Sequence, residues 1–122
     1  LEPDEVVVAA VLPEDVPTNQ EFANIGQRSA MVISTVSECV VRDDDGAVRV
    51  ALGSVAPTPV RARRAEALIA ENRDPSEAVL EEFARTVSAD VSPITDHRST
   101  ESYRRHAAGV LARRLLERCL AR

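Results

Sequence analysis

Residues 49–62, RVALGSVAPTPVRA, constrain the chain more than any other stretch. Val48, Val50 and Leu52 alternate with the period of a half-buried strand. Gly53, Pro57 and Pro59 then interrupt regular pairing just before an Arg-rich, Ala-rich run of helical character. Each proline fixes its own φ and drives the preceding residue, Ala56 or Thr58, toward extended geometry, so the chain leaves the sheet along a stiff path. This reading makes the stretch a hinge, with strand before it and helix after it.

The rest of the chain supplies partners for both layers. Residues 5–12 (EVVVAAVL) are Val-rich and stop at Pro13, as expected of a first strand covered on both faces. Residues 13–26 hold Pro, Asp, Thr, Asn and Gln around the few anchors Val16, Phe22 and Ile25, the composition of a long loop. Residues 29–41 read as a strand with one helical turn at its start. Asp43, Asp44, Asp45 and Gly46 form a hairpin connection, in which Gly46 can take positive φ, joining 34–42 antiparallel to 47–54. The acidic triplet lacks the alternating ligands and closing Glu of a calcium loop.

Three helices follow. Residues 61–71 place Ala65, Leu68 and Ile69 on one side, and Asn72 and Arg73 end the run. Asp74, Pro75, Ser76 and Glu77 read as an N-cap, a first-turn proline and a first-turn acid. The second helix carries a core stripe of Val79, Phe83 and Val87 flanked by Leu80 and Ala84, and stops near Ser88. The last, from Thr100 to about Ala121, has an apolar arc too broad for one sheet face, so it should meet both the sheet and another helix. The predicted architecture is α+β, a single domain spanning 1–122, with a three-stranded antiparallel sheet packed against three helices on one face.

Composition removes several functions. With Phe22, Phe83 and Tyr103 the only aromatics and a formal charge of −5, the chain lacks the stacking platforms and positive potential of a nucleic-acid binder. No apolar run approaches a membrane span and no signal peptide is seen, so a cytoplasmic protein is expected. Cys39 and Cys119 are far apart and read as free thiols in a reducing compartment. His97 and His106, nine residues apart, do not form a His-x-x-x-His metal pair, and no metal site is predicted. Asp96, His97 and Ser99 are too close in sequence for a triad and lack a nucleophile elbow. No catalytic residue is assigned.

Two polar constellations remain. One is the corner Gly26, Gln27 and Arg28, where Arg28 could meet an anion or a neighbouring domain, or lie on the surface at a strand entry. The other runs from Asp96 through Arg98 and Thr100 to Tyr103 and Arg104: Asp96 can pair with Arg98, Ser99 or Thr100 can cap the final helix, and Tyr103 can pack and hydrogen-bond together. Its simplest reading is a well-capped helix start. The final helix is also rich in arginine (Arg104, Arg105, Arg113, Arg114, Arg118 and Arg122), which offers an alternative function, a stand-alone interaction module gripping an acidic partner.

Residues 48–66, VRVALGSVAPTPVRARRAE, followed by residues 92–116, SPITDHRSTESYRRHAAGVLARRLL, resemble the C-terminal domain of the FAD-carrying medium subunit of molybdenum hydroxylases, the family of carbon monoxide dehydrogenase and bacterial xanthine dehydrogenases. Residues 1–13 look like that family's entry from its flavin-binding domain, and GQRSAMVISTVS like its Arg-led first segment. The similarity covers essentially the whole chain.

The resemblance implies an accessory, docking domain of an oxidoreductase, not catalytic alone. It would cover an N-terminal flavin-binding domain and support electron transfer from iron–sulfur clusters to FAD, with molybdenum and iron–sulfur subunits as partners. A start at Leu1 without Met fits a piece of a longer subunit. The resemblance also implies that residues 22–28 pass near the flavin ring, so Arg28, Gln27 and Asn24 are the candidate cofactor-binding residues. Asp96, Arg98, Tyr103 and Arg104 are the candidate interdomain or structural group. Asn24 stands where relatives often have Lys, and Val32 where an Asp is common. FAD is expected in the full subunit, bound mostly by other domains, and none in the isolated fragment, which has no Gly-rich loop or helix start for a pyrophosphate.

Overall fold

A computed structural model describes residues 2–12, 14, 16–28 and 33–121. Its sheet has four strands, β1 (Gln20–Ile25), β2 (Val36–Arg42), β3 (Val48–Gly53) and β4 (Val60–Arg61), ordered β1-β2-β3-β4 with every neighbour antiparallel. Three helices follow: α1 (Arg63–Glu71), α2 (Glu77–Asp90) and α3 (Glu101–Leu120). The α+β architecture is as expected, with one strand more and a different first strand.

The hairpin between β2 and β3 forms at the Asp-rich turn. Gly46 sits at φ 85°, Gly46 N–H donates to the Asp43 carbonyl and Asp43 N–H to that of Ala47. Only glycine takes this φ freely, and the turn fixes a register in which Val40 faces Val50 and Glu38 faces Leu52. The Asp43 carboxylate also accepts from Arg49.

Residues 5–12 are not a strand. They lie in irregular structure, with Val6, Val8 and Val11 at 81, 94 and 92% exposure. No strand of the described sheet lies beside them, and without a ladder a Val-rich run has nothing to pair with. The first strand instead comes from the predicted loop. In Gln20–Ile25, Glu21, Ala23 and Ile25 turn toward the helices while Gln20, Phe22 and Asn24 face away. Polar residues on the open face of an edge strand hide its alternation. The turn expected at the start of residues 29–41 falls on 29–32, outside the described residues, as does Val32; the strand itself starts at Val36.

The proline corner does not hand the chain straight to a helix. Beyond Pro57 and Pro59, Val60 and Arg61 return to pair with Leu52 and Ala51 of β3 as a two-residue edge strand. Helix α1 then begins at Arg63, two residues later than predicted. Proline blocks ladder donation at its own position only, so a following residue pair can rejoin an edge. At the start of α2 the N-cap is Ser76, not Asp74, with Pro75 ahead of the helix. The helix also runs two residues past Ser88, to Asp90.

The core lies between one sheet face and the helices. Val36, Val40, Val48, Val50 and Leu52 from the sheet meet Ala65, Ile69, Leu80, Phe83, Val87, Ala108, Leu115 and Leu116, all buried. Full burial of a side chain such as Phe83 contributes roughly 1.5–3 kcal/mol. As its wide apolar arc requires, α3 packs on β1, β2 and α2. Gly109 permits the close approach to α2: a Cβ there would stand 2.5 Å from the Ala84 carbonyl oxygen and clash with Ser88 Oγ. Across the sheet, the opposite face carries the row Phe22, Cys39, Ala51 and Arg61, with Phe22 66% exposed.

Candidate functional site

The Asp96 constellation is assembled as a hydrogen-bonded hub. Residues 91–99 cross from α2 to α3 without regular secondary structure, anchored where Ser92 N–H donates to the Val55 carbonyl. Asp96 closes a turn with its own backbone, its N–H donating to the Ser99 carbonyl. Its Oδ1 accepts from the N–H groups of Arg98 (2.9 Å) and Ser99 (3.1 Å) and from Arg104 Nη2 (2.7 Å). Its Oδ2 accepts from Arg98 Nε (3.0 Å) and Nη2 (2.8 Å). Desolvation alone would raise the pKa of this carboxyl. The bonds from the Arg98 side chain and N–H, from Arg104 and from Ser99 outweigh it and hold Asp96 well below the usual carboxylate range.

Arg104 is the inner half of the hub. It sits in the first turn of α3, only 2% exposed, and its Nη1 donates to the carbonyls of Thr35 (2.9 Å) and Ser54 (2.7 Å). Ser54 takes φ 65°, a left-handed conformation uncommon for a residue with a Cβ, immediately after β3. One guanidinium thus joins the start of β2, the end of β3 and the turn before α3. Thr100 caps that helix, its Oγ1 accepting from Tyr103 N–H at 3.2 Å. Tyr103 itself is 49% exposed and contributes this N–H to the cap. Beside the hub lies a cleft of about 300 Å³ with Arg98, Arg104, Pro57 and Ile94 in its wall.

The second predicted constellation is attached to the first. Gln27 Nε2 donates to the Arg98 carbonyl at 3.1 Å, across 71 residues of sequence. Asn24 Nδ2 donates to Ser34 Oγ at 3.1 Å, bracing the connection between β1 and β2. Arg28 is exposed and has no ion pair or hydrogen bond among the described residues. The corner therefore presents the exposed Arg28 guanidinium, while the Gln27 and Asn24 amides are engaged with the Arg98 carbonyl and Ser34 Oγ. An exposed guanidinium of this kind can meet an anionic or electronegative group.

Other candidates dissolve in the structure. Both Asp96 oxygens are occupied by arginines and backbone N–H groups, and His97 is exposed, so Asp96, His97 and Ser99 form no relay. Among the described residues no group of three His, Cys, Asp or Glu could hold a metal, and no helix is long and apolar enough to cross a membrane. Cys119 is buried with its Sγ directed at the Val40 carbonyl, and Cys39 is half-buried on the other face of β2. The arginines of α3 are largely taken up within the chain. Arg105 bonds the carbonyls of Ser88 and Val91 and the Glu101 carboxylate, Arg113 bridges Glu77 and Glu117, and Arg118 pairs with Glu21 at 3.7 Å. Arg114 alone of the described α3 arginines has no such partner.

One polar residue escaped the sequence reading. Glu38 lies on the core face of β2, 1% exposed, and neither carboxyl oxygen has a hydrogen-bond partner among the described residues. Burial pushes its pKa up to about 9, so the group is a neutral acid at physiological pH. The alternation Val36-x-Glu38-x-Val40 was the signal, since it assigns Glu38 to the apolar face.

An antiparallel sheet packed on one face by helices makes this an α+β domain, in which an arginine–carboxylate hub ties the last helix to the strand ends. The chain belongs to the family of the CO dehydrogenase flavoprotein C-terminal domain, which residues 22–119 match. It is 31% identical to the putative xanthine dehydrogenase FAD-binding subunit XdhB of Escherichia coli (strain K12), over 99% of this chain and 43% of that protein. Among solved structures it is similar to the reconstituted CO dehydrogenase from Oligotropha carboxidovorans, with a TM-score of 0.75 and 26% identity over 88% of this chain and 39% of that one. The CO dehydrogenase of Hydrogenophaga pseudoflava that lacks the Mo-pyranopterin moiety of its molybdenum cofactor is similar at a TM-score of 0.75 and 25% identity, over 87% of this chain and 38% of that one. The chain spans less than half the length of each of these relatives.

Proposed function

We propose that this chain is the C-terminal domain of a FAD-carrying subunit in a molybdenum hydroxylase-type oxidoreductase. It packs against a flavin-binding domain of the same subunit and supports electron transfer from iron–sulfur clusters to FAD without a catalytic group of its own. The family match over residues 22–119 carries this reading, and the names of its relatives point the same way, one a FAD-binding subunit and another a CO dehydrogenase with a molybdenum cofactor. Bound FAD would supply the electron-accepting chemistry. This chain would contribute Arg28 at the polar edge of the ring, with Gln27 and Asn24 shaping the corner that carries it.

A positive charge beside a flavin favours its reduced, anionic form. Arg28→Ala in the flavin-loaded parent subunit should therefore lower the flavin reduction potential, and Arg28→Lys should largely preserve it. Identical potentials in the wild type and Arg28→Ala would remove the corner from the flavin site.

A further inference from the structure

We propose that Asp96 is a positioning residue which, acting through Arg98 and Arg104, fastens both ends of the β1–β2 connection, and that Gln27 is the tether by which it holds the corner bearing Arg28. The role assigned to that corner rests on the flavin-proximal reading above; the fastening itself rests on the geometry.

The connection leaves the sheet at Ile25 and rejoins it at Val36, its register partner across the ladder. At its base, Thr35 N–H donates to the Ile25 carbonyl at 2.7 Å. The returning end is held from outside the hairpin, because the Thr35 carbonyl accepts from Arg104 Nη1, whose guanidinium is itself bonded to Asp96 Oδ1. The departing end is held from the same carboxylate by another route. Asp96 accepts the N–H groups of Arg98 and Ser99 and the Arg98 side chain, which fixes the Arg98 peptide, and the Arg98 carbonyl accepts from Gln27. Two chain ends 69 and 71 residues distant from their partners thus converge on one side chain.

A helix cap explains little of this. Thr100 already caps α3, and Thr95 Oγ1 accepts from Glu101 N–H. Asp96 would not need two arginines to start that helix. Its position makes sense if the object is the connection: a long loop closed only by its own hairpin would keep considerable conformational freedom at the corner. A side chain that must meet a cofactor edge loses effectiveness with about an ångström of misplacement. The hub holds the corner to α3, the most extensively packed helix of the domain.

Hydrogen exchange tests the proposal in the flavin-loaded parent subunit. Gln27→Ala should speed exchange at the amides of Gly26, Gln27 and Arg28 by roughly two- to tenfold, the factor expected for one ordinary hydrogen bond, and leave the Thr35 amide unchanged. Asp96→Asn should speed exchange at the corner and at Thr35 together. Combining the two should be non-additive at the corner, since both act through the same tether. Unchanged exchange at 26–28 in Gln27→Ala, a variant that leaves the buried hub intact, overturns the tether even if Asp96→Asn fails to fold. The flavin gives a separate signal. Asp96→Asn lies outside the corner, so a shift in the visible flavin bands or reduction potential must be transmitted through it. Faster exchange with an unaltered flavin would confirm the fastening and refute the flavin-proximal reading.

Discussion

Arg104 and Asp96 are eight residues apart in sequence and 2.7 Å apart in space, and their pairing puts an arginine at 2% exposure beneath the proline corner. A guanidinium so deeply placed is tolerable only because its terminal nitrogens meet the carbonyls of Thr35 and Ser54 and a carboxylate. Its Nε has no partner among the described residues. It joins three segments that are otherwise unconnected in sequence.

Replacing Arg104 with Met keeps much of the aliphatic volume and removes every polar contact. Thr35 and Ser54 lose the guanidinium that satisfies their carbonyls. The expected loss is about 3 kcal/mol or more, the scale for stranding buried polar groups by deleting one partner. A fall in the urea midpoint with an unchanged denaturant slope is the diagnostic result. Arg104→Lys should recover little, because an ammonium cannot reach three acceptors in the planar fork that this site uses.

Much of the layering is legible in sequence, and the exceptions share a cause. The hairpin at Gly46 needs positive φ and Val48, Val50 and Leu52 alternate without interruption, so both are visible in a local window. Strand β1 is hidden because its open face bears Gln20, Phe22 and Asn24, a mixed set that mimics a loop. The valines of residues 5–12 mislead in the opposite direction, having strand propensity without a neighbouring strand in the described sheet. At the site, Asp96 with Arg98 is a local pair and could be foreseen. The Gln27 bond to Arg98 could not, since no local pattern specifies a contact across 71 residues.

Gly109 gives a test of the helix layer. A methyl group there meets the Ala84 carbonyl oxygen at 2.5 Å, and backbone cannot rotate away as a side chain can. Helix propensity alone would favour Gly109→Ala by close to 1 kcal/mol. Forced separation of α2 and α3 opposes it, at about 1–3 kcal/mol for an overpacked contact. The net expectation is destabilisation, read as a lower thermal midpoint. Pairing it with Ser88→Ala should restore little, because the Ala84 carbonyl remains; full recovery would show that the serine hydroxyl, not the backbone, sets the approach of these helices.

Glu38 makes stability depend on pH in a direction opposite to most carboxylates. Its pKa rises from the ordinary glutamate value of 4.5 to about 9 in the fold, driven by burial. Between these values the unfolded chain has released the proton and the folded chain retains it, so rising pH favours unfolding across that window. The contribution is fully present below pH about 4.5 and is lost as pH climbs through about 9, a change on the order of several kcal/mol. Asp96 acts in the other sense: its depressed pKa supports the fold above the usual carboxylate range, and that support is lost in acid. Glu38→Leu removes the buried acid while keeping an apolar side chain on the core face beside Val36 and Val40. The variant should be more stable than wild type at pH 8 and should lose most of the decline between pH 5 and 9, while its acid limb, set in part by Asp96, stays in place. Urea unfolding at a series of pH values separates the two limbs. An unchanged alkaline decline in Glu38→Leu would mean that water or a neighbouring group reaches this carboxyl in solution and lets it ionise near its ordinary pKa.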